Sequence, residues 1–451
     1  MDLLDVTFLI IYFTVPISVW YVLKKSGISL LNLSVPVFVI QTLFLLAYVG
    51  YFFLYFKLDE YRVEDGVIDK EVIFQAFSFS AYTLFTFTLG VVFCSGVVKA
   101  NFNLSKLDRV SLVNRKELIW LVVLLVIVAL VLALYVSKVS KLAIVVALVD
   151  GFSEAKLARS DMSNNFSGKY HWYSLFMHDV SAFVSYSLFG AWFVSKKKLI
   201  GVIAFFSFLL TSFAMIMSTE KAPLVWFFLG VFFTYILCRK KGELSVRRVV
   251  PLALIGLAVL LSADVLFMGS SEFGSALSSI ISRAMTGGIT PSYFYIEFFP
   301  DHQEYLQGRS FPNPGQLLPF EPYSMTVEVM NWIHPEHLDM DIVGTAPTVF
   351  WAELYANFGA PGVLIAPVVL GFVLSFFVYF FNKLKTSPIT IAMTVWMMLH
   401  YKDLAATGIS GFIFDIRLYT LLLIVVVVLA TSHQFKLLFN RSSILIPDNS
   451  K

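Results

Sequence analysis

Two cysteines in 451 residues, Cys94 and Cys238, exclude a disulfide framework, and neither has a metal-ligand neighbour. Charge is scarce as well. Only 14% of residues are Asp, Glu, Lys or Arg, against about 25% in soluble domains. No HExxH or CxxC motif occurs, and no P-loop or Gly-x-Gly-x-x-Gly turn. These absences speak against zinc peptidase, thiol-redox and nucleotide-binding chemistry. No cofactor and no metal is expected. The formal net charge of +3 gives no argument for nucleic acid, because the charges divide between two membrane faces. Internal repeats and low-complexity tracts are also missing.

What the chain has is apolar length. It is 58% hydrophobic, contains 46 Phe and has a mean hydropathy of +0.80. Runs of about 20 apolar residues recur from end to end, the signature of a polytopic helical membrane protein. Eleven spans are expected, at 5–23, 30–56, 73–98, 118–136, 174–194, 199–217, 223–238, 249–268, 361–382, 387–402 and 416–432. The acidic start MDLLD and the Lys24-Lys25 flank resemble an uncleaved first span. Connections 24–29, 99–117, 195–198, 239–248 and 383–386 and the C-terminal tail hold 20 of the 33 Lys and Arg, but only Asp108, Glu117, Glu243 and Asp448 of the acids. The positive-inside rule makes these cytoplasmic and the N-terminus external.

The outer connections are then 57–72, 137–173, the turn STEKAP (Ser218–Pro223), 269–360 and 403–415. The organisation is a bundle over 1–268, a large outer loop at 269–360, and the last spans with a cytoplasmic tail over 361–451. In the large loop, SSEFGSALSSIISRAM reads as a helix capped by Ser271, and five prolines make 300–323 irregular.

Bases are few on this acidic outer face, so each can be weighed singly. Arg417 in FDIRLYT and Lys221 in STEKAP begin helices that run inward. A cation there opposes the helix dipole, at about 0.3–1 kcal/mol. The same position joins free N–H groups to a positive charge, which suits a phosphate. The plain alternative pairs Arg417 with Asp415 and Lys221 with Glu220. Arg159, Arg283 and Arg309 complete a set of five cations. Their plain readings are a solvated helix face for Arg283 and a carboxylate-anchored turn for Arg309.

Glu353 in VFWAELYANFG is the candidate base, since partial withdrawal from water raises a carboxyl pKa. Its plain reading is a capping or ion-pairing role. Asp264, Glu321, Glu328, His334 and His337 are further candidates. Aromatics crowd the large loop, among them Tyr323, Trp351 and Tyr355. They suit stacking on sugar rings, or an ordinary interfacial belt.

The run GRSFPNPGQLLPFEPYSMTVEVMNW (Gly308–Trp332), followed by GTAPTVFWAELYANFGAPG, resembles the large loop of Wzy-type O-antigen polymerases. The layout of spans, with a dominant outer loop before the last three, is also similar to that family. It groups with the O-antigen ligases. The resemblance implies a GT-C-like or ligase-like helical bundle in the bacterial inner membrane, with a periplasmic N-terminus and a cytoplasmic C-terminus. It matches Lys221 in STEKA to a family Arg, and Arg159, Arg283 and Arg417 to further family arginines. The family's proposed RX15G spacing is absent, because none of Arg159, Arg283 and Arg309 has Gly sixteen positions on.

The implied activity is polymerisation of oligosaccharide repeat units carried on undecaprenyl pyrophosphate. Arg159, Arg283, Arg417 and Glu353 would be catalytic. Lys221, Arg309, Glu321, Tyr323, Trp351 and Tyr355 would bind substrate. The implied partners are lipid-linked glycans, membrane lipid, a flippase and a chain-length regulator. An O-antigen ligase and a lipid-linked oligosaccharide flippase stay open as alternatives.

Overall fold

A computed structural model describes residues 2–99, 113–163, 168–245, 273–336, 344–384 and 386–432, with 166, 247 and 251. The expected span at 249–268 (residue 251 apart), Asp264, Ser271 and His337 lie outside the described residues. Among those described, the chain is all-helical. Among the described residues, eight helical stretches are long and apolar enough to cross a membrane: Leu3–Lys25, Val35–Tyr55, Lys70–Val98, Arg115–Lys138, Lys198–Ile216, Lys221–Lys240, Phe350–Phe381 and Ser410–Thr431, the last interrupted at 414–415 between Ser410–Ile413 and Ile416–Thr431. This is the architecture of a multi-pass helical membrane protein.

Local chemistry sets the helix starts. Asp2 and Asp5 form a reciprocal capping box on the first helix, which ends in Lys24 and Lys25. Asp69 caps Lys70–Val98 by accepting the Glu71 N–H at 2.8 Å, and Asn114 caps Arg115–Lys138 through the Lys116 N–H at 3.0 Å.

The chain divides into two compact units. The first joins Met1–Asn103, Leu244–Phe376 and Met398–Ile416; the second joins Leu104–Glu243, Phe377–Met397 and Arg417–Lys451. The first unit has an aromatic core, in which Phe8 stacks on Tyr55 at 4.0 Å and meets Phe77 at 4.4 Å. A Cβ on Gly90 would lie 2.1 Å from the Val368 carbonyl oxygen, and one on Gly371 would lie 2.3 Å from that of Phe87. The Lys70–Val98 and Phe350–Phe381 backbones therefore touch, which only glycine permits. Gly359, at φ 65° and ψ −156°, breaks the latter helix near its start.

The large loop folds back onto this unit. Helix Phe273–Met285 matches the expected loop helix, and residues 299–324 hold only a 3-10 turn at Pro314–Gln316. Helix Thr290–Phe298 is mostly buried, with the Tyr51 hydroxyl hydrogen-bonded to Ser292 Oγ at 2.7 Å.

The second unit packs with small polar residues. Ser185 Oγ hydrogen-bonds Ser207 Oγ at 2.6 Å and Thr211 Oγ1 at 2.9 Å, joining Ser181–Ser195 to Lys198–Ile216. Buried Glu117 accepts the Ile389 N–H at 3.0 Å and so caps the Pro388–Tyr401 helix.

Candidate functional site

In the second unit, Arg159 and Arg417 are held in ion pairs and Lys221 begins a helix. Arg159 on Phe152–Ser163 pairs with Glu220 at 2.5 Å. Glu220 is the N-cap position of Lys221–Lys240, so Lys221 is the first residue of that helix. Thr219 at φ 62° makes the tight reversal that leads into it. Arg417, in the first turn of Ile416–Thr431, has its Nε 3.5 Å from Asp179 Oδ2. The other Asp179 oxygen accepts the Trp396 Nε1–H at 3.1 Å.

Two features give this cluster its shape. Asp179 belongs to a π-helical segment, Leu175–Val180. Such wide turns in a helix occur frequently at functional sites. Tyr170, at the start of the preceding helical turn, senses Arg159, Glu220 and Arg417 together. Burial raises its phenol above the ordinary value, Glu220 adds to the rise, and the two guanidiniums oppose it.

The first unit holds a different constellation around Glu353, which is 1% exposed. Its Oε1 accepts the Ser310 hydroxyl at 2.6 Å, and its Oε2 accepts the Ser410 N–H at 2.9 Å. Asn357, one turn on, donates to Ser310 Oγ at 2.7 Å and to the Glu353 carbonyl at 2.8 Å. Asn357 Oδ1 accepts the Gly308 N–H at 2.9 Å. The break at Gly359 leaves carbonyls of the preceding turn available, and Ala356 and Asn357 accept from the N–H groups of Leu306 and Gln307. Gly408 completes the knot, since a Cβ there would lie 2.1 Å from Glu353 Oε2. Glu353 thus ties the large loop to the 408–410 turn.

The remaining expected residues fall as follows. Arg309 and Tyr323 come together: the guanidinium lies 6.0 Å over the ring, and the Tyr323 N–H donates to the Arg309 carbonyl at 2.8 Å. Burial raises the Tyr323 phenol; Glu328 adds to the rise and Arg309 opposes it. Arg283 is exposed near the end of Phe273–Met285, and Glu321 is exposed in the irregular stretch. Sequence reading offers Trp351 and Tyr355 to a sugar, whereas the structure packs both rings inside the first unit. Trp351 donates to Ser80 Oγ at 2.8 Å, and the Tyr355 hydroxyl donates to the Phe299 carbonyl at 3.3 Å.

The plain pairings also change. Glu220 goes to Arg159 and Asp415 to His400 at 2.5 Å, while Arg417 meets Asp179. Sequence reasoning passed over Tyr170, Trp396, Ser310, Asn357 and Ser410. Asn357 carried a signal, because four residues from Glu353 is the same helix face. The others are brought in from distant segments. No family model, curated protein or solved structure matches the chain.

Proposed function

We propose that the chain is a metal-independent glycosyltransferase of the Wzy polymerase type, acting on undecaprenyl-pyrophosphate-linked repeat units at the periplasmic face of the inner membrane. The observation that carries this reading is a set of cations at helix entries of the second unit: Arg159 pairs with Glu220, Lys221 follows next in the chain, and Arg417 meets Asp179. Lys221 and Arg417 each stand in the first turn of an apolar helix. A pyrophosphate leaving group needs positive charge where its negative charge develops, and cations at helix starts supply it.

In the proposed step, an acceptor sugar hydroxyl attacks the anomeric carbon of the donor glycan. The new C–O bond forms as the anomeric carbon's bond to the pyrophosphate oxygen breaks, and undecaprenyl pyrophosphate departs. Arg159, Lys221 and Arg417 bind the departing pyrophosphate. The hydroxyl proton goes to Asp179, the carboxylate 3.5 Å from Arg417. Glu353 is assigned a positioning role, since its carboxyl is only 1% exposed and is tied to Ser310 and Ser410.

The eleven-span topology belongs to this proposal. It adds the helical run from Leu175 to Ser195, the Pro388–Tyr401 helix and the 249–268 segment to the eight long helices. Deleting the gene and sizing the surface glycan tests the function. A single repeat unit on the lipid core supports the polymerase. Bare core points to a ligase or an earlier step, and an unchanged ladder overturns the reading.

A further inference from the structure

Part of the second unit that reads as an aqueous connection has an apolar surface. The Ala143–Val149 helix is AIVVALV, with no polar residue. One side, Ala143, Val146 and Ala147, is buried against Leu132, Tyr135 and Met217. The other side is open: Val145 is 52% exposed, and Leu148 and Val149 are each 76% exposed. Leu157 on the following helix is 65% exposed.

The depth of this helix is fixed by what it docks on. The Ile144 N–H donates to the Met217 carbonyl at 3.1 Å, one residue past the Lys198–Ile216 helix. Leu132 and Tyr135 belong to the last turns of Arg115–Lys138. The same two helices expose Leu130, Leu134 and Leu209, as lipid-facing sides do. The open face of Ala143–Val149 therefore continues their apolar sides at one end. Lys138 and Lys141 are exposed just before it, and Lys138 donates to the Tyr173 hydroxyl at 2.9 Å. Lysines and tyrosines border membrane interfaces in this way. The Phe152–Ser163 helix is polar by contrast, exposing Glu154, Arg159 and Asp161.

We infer that the 143–163 hairpin is an interfacial element seated in one leaflet of the membrane. Val145, Leu148 and Val149 lie among the hydrocarbon chains, and the Phe152–Ser163 helix runs at headgroup level. A second copy of the chain is the poorer occupant. A stable protein interface buries about 800 Å² per partner, beyond what these few side chains offer. The consequence for the site rests on the transferase reading: Arg159 waits at the depth of the phosphates of a lipid-anchored substrate.

The test uses the full chain with Cys94 and Cys238 replaced, reconstituted in vesicles of phosphatidylethanolamine and phosphatidylglycerol. Nitroxide labels are placed on L148C, V149C and, as the polar reference, E154C. Labels at 148 and 149 should meet oxygen and be shielded from an aqueous nickel chelate, with an oxygen-to-nickel ratio several-fold above that at 154. Nickel reaching all three labels would overturn the inference. So would shielding of 148 and 149 from both reagents, which marks a covering protein. Because accessibility reads no activity, failure of the transferase reading leaves this result standing, and failure here leaves the glycan ladder untouched.

Discussion

Glu353 and Arg417 both stand in the first turn of a membrane helix, yet the protein uses them in opposite ways. Glu353 is an acid at the positive end of its helix, 1% exposed, with donors on both oxygens. Arg417 is a cation at the same kind of end, where the helix dipole opposes it. Its side chain is 53% exposed, and its Nε lies 3.5 Å from Asp179. A favourable charge buried in hydrogen bonds is architecture. An unfavourable charge held at a surface needs another reason to be there, and in the proposed function that reason is an anionic leaving group.

The largest expected effect separates the two directly. Arg417→Ala should lower glycan polymerisation by at least about 10²-fold, the scale for removing one charge-stabilising group. Thermal unfolding in detergent should stay close to that of the wild type. Glu353→Ala should do the reverse in order of cause. It strands the Ser310 hydroxyl and the Ser410 N–H, so stability should fall by about 2–4 kcal/mol, with activity lost only as the fold is lost. A stable, inactive Glu353→Ala protein would erase the distinction and return Glu353 to the chemistry.

A smaller effect sharpens the architectural half. Gly408→Ala pushes a methyl group against Glu353 Oε2. A cost of about 1–3 kcal/mol is expected from this overpacking. Combined with Glu353→Ala, the same change should cost far less, because the obstructing carboxylate is gone. Additive costs in the double variant would show that Gly408 matters for some other reason.

The same comparison shows what could be read from the chain alone. The eight long apolar helices were legible because hydropathy over about 20 residues reports burial in lipid without knowledge of partners. The placement of Lys221 and Arg417 at helix starts was legible for the same reason, since a span boundary fixes a helix terminus. Their partners were not. Asp179 reaches Arg417 from a segment more than two hundred positions away, and the π turn that carries it leaves no composition signal. Trp351 and Tyr355 looked like a sugar platform because a loop aromatic and a packed aromatic have the same sequence. Only the fold-back of the loop onto the Lys70–Val98 helix decides between them.

The smallest effect reads the field of the cation cluster itself. A tyrosine loses a proton to become anionic, ordinarily near pH 10. Burial raises the Tyr170 value in the fold, so the folded state favours the neutral phenol. Its contribution to stability is intact below about pH 10 and declines as pH rises beyond that. Tyr170→Phe removes the ionisable group, so its unfolding temperature should fall less between about pH 9 and 11 than that of the wild type. Arg159→Ala should steepen the decline, because Arg159 is one of the two cations that hold the phenol down. Arg417→Ala should do the same. Superimposable alkaline limbs for wild type, Tyr170→Phe and Arg159→Ala would mean that the cations do not act on Tyr170 together, and the cluster would lose its claim to be one site.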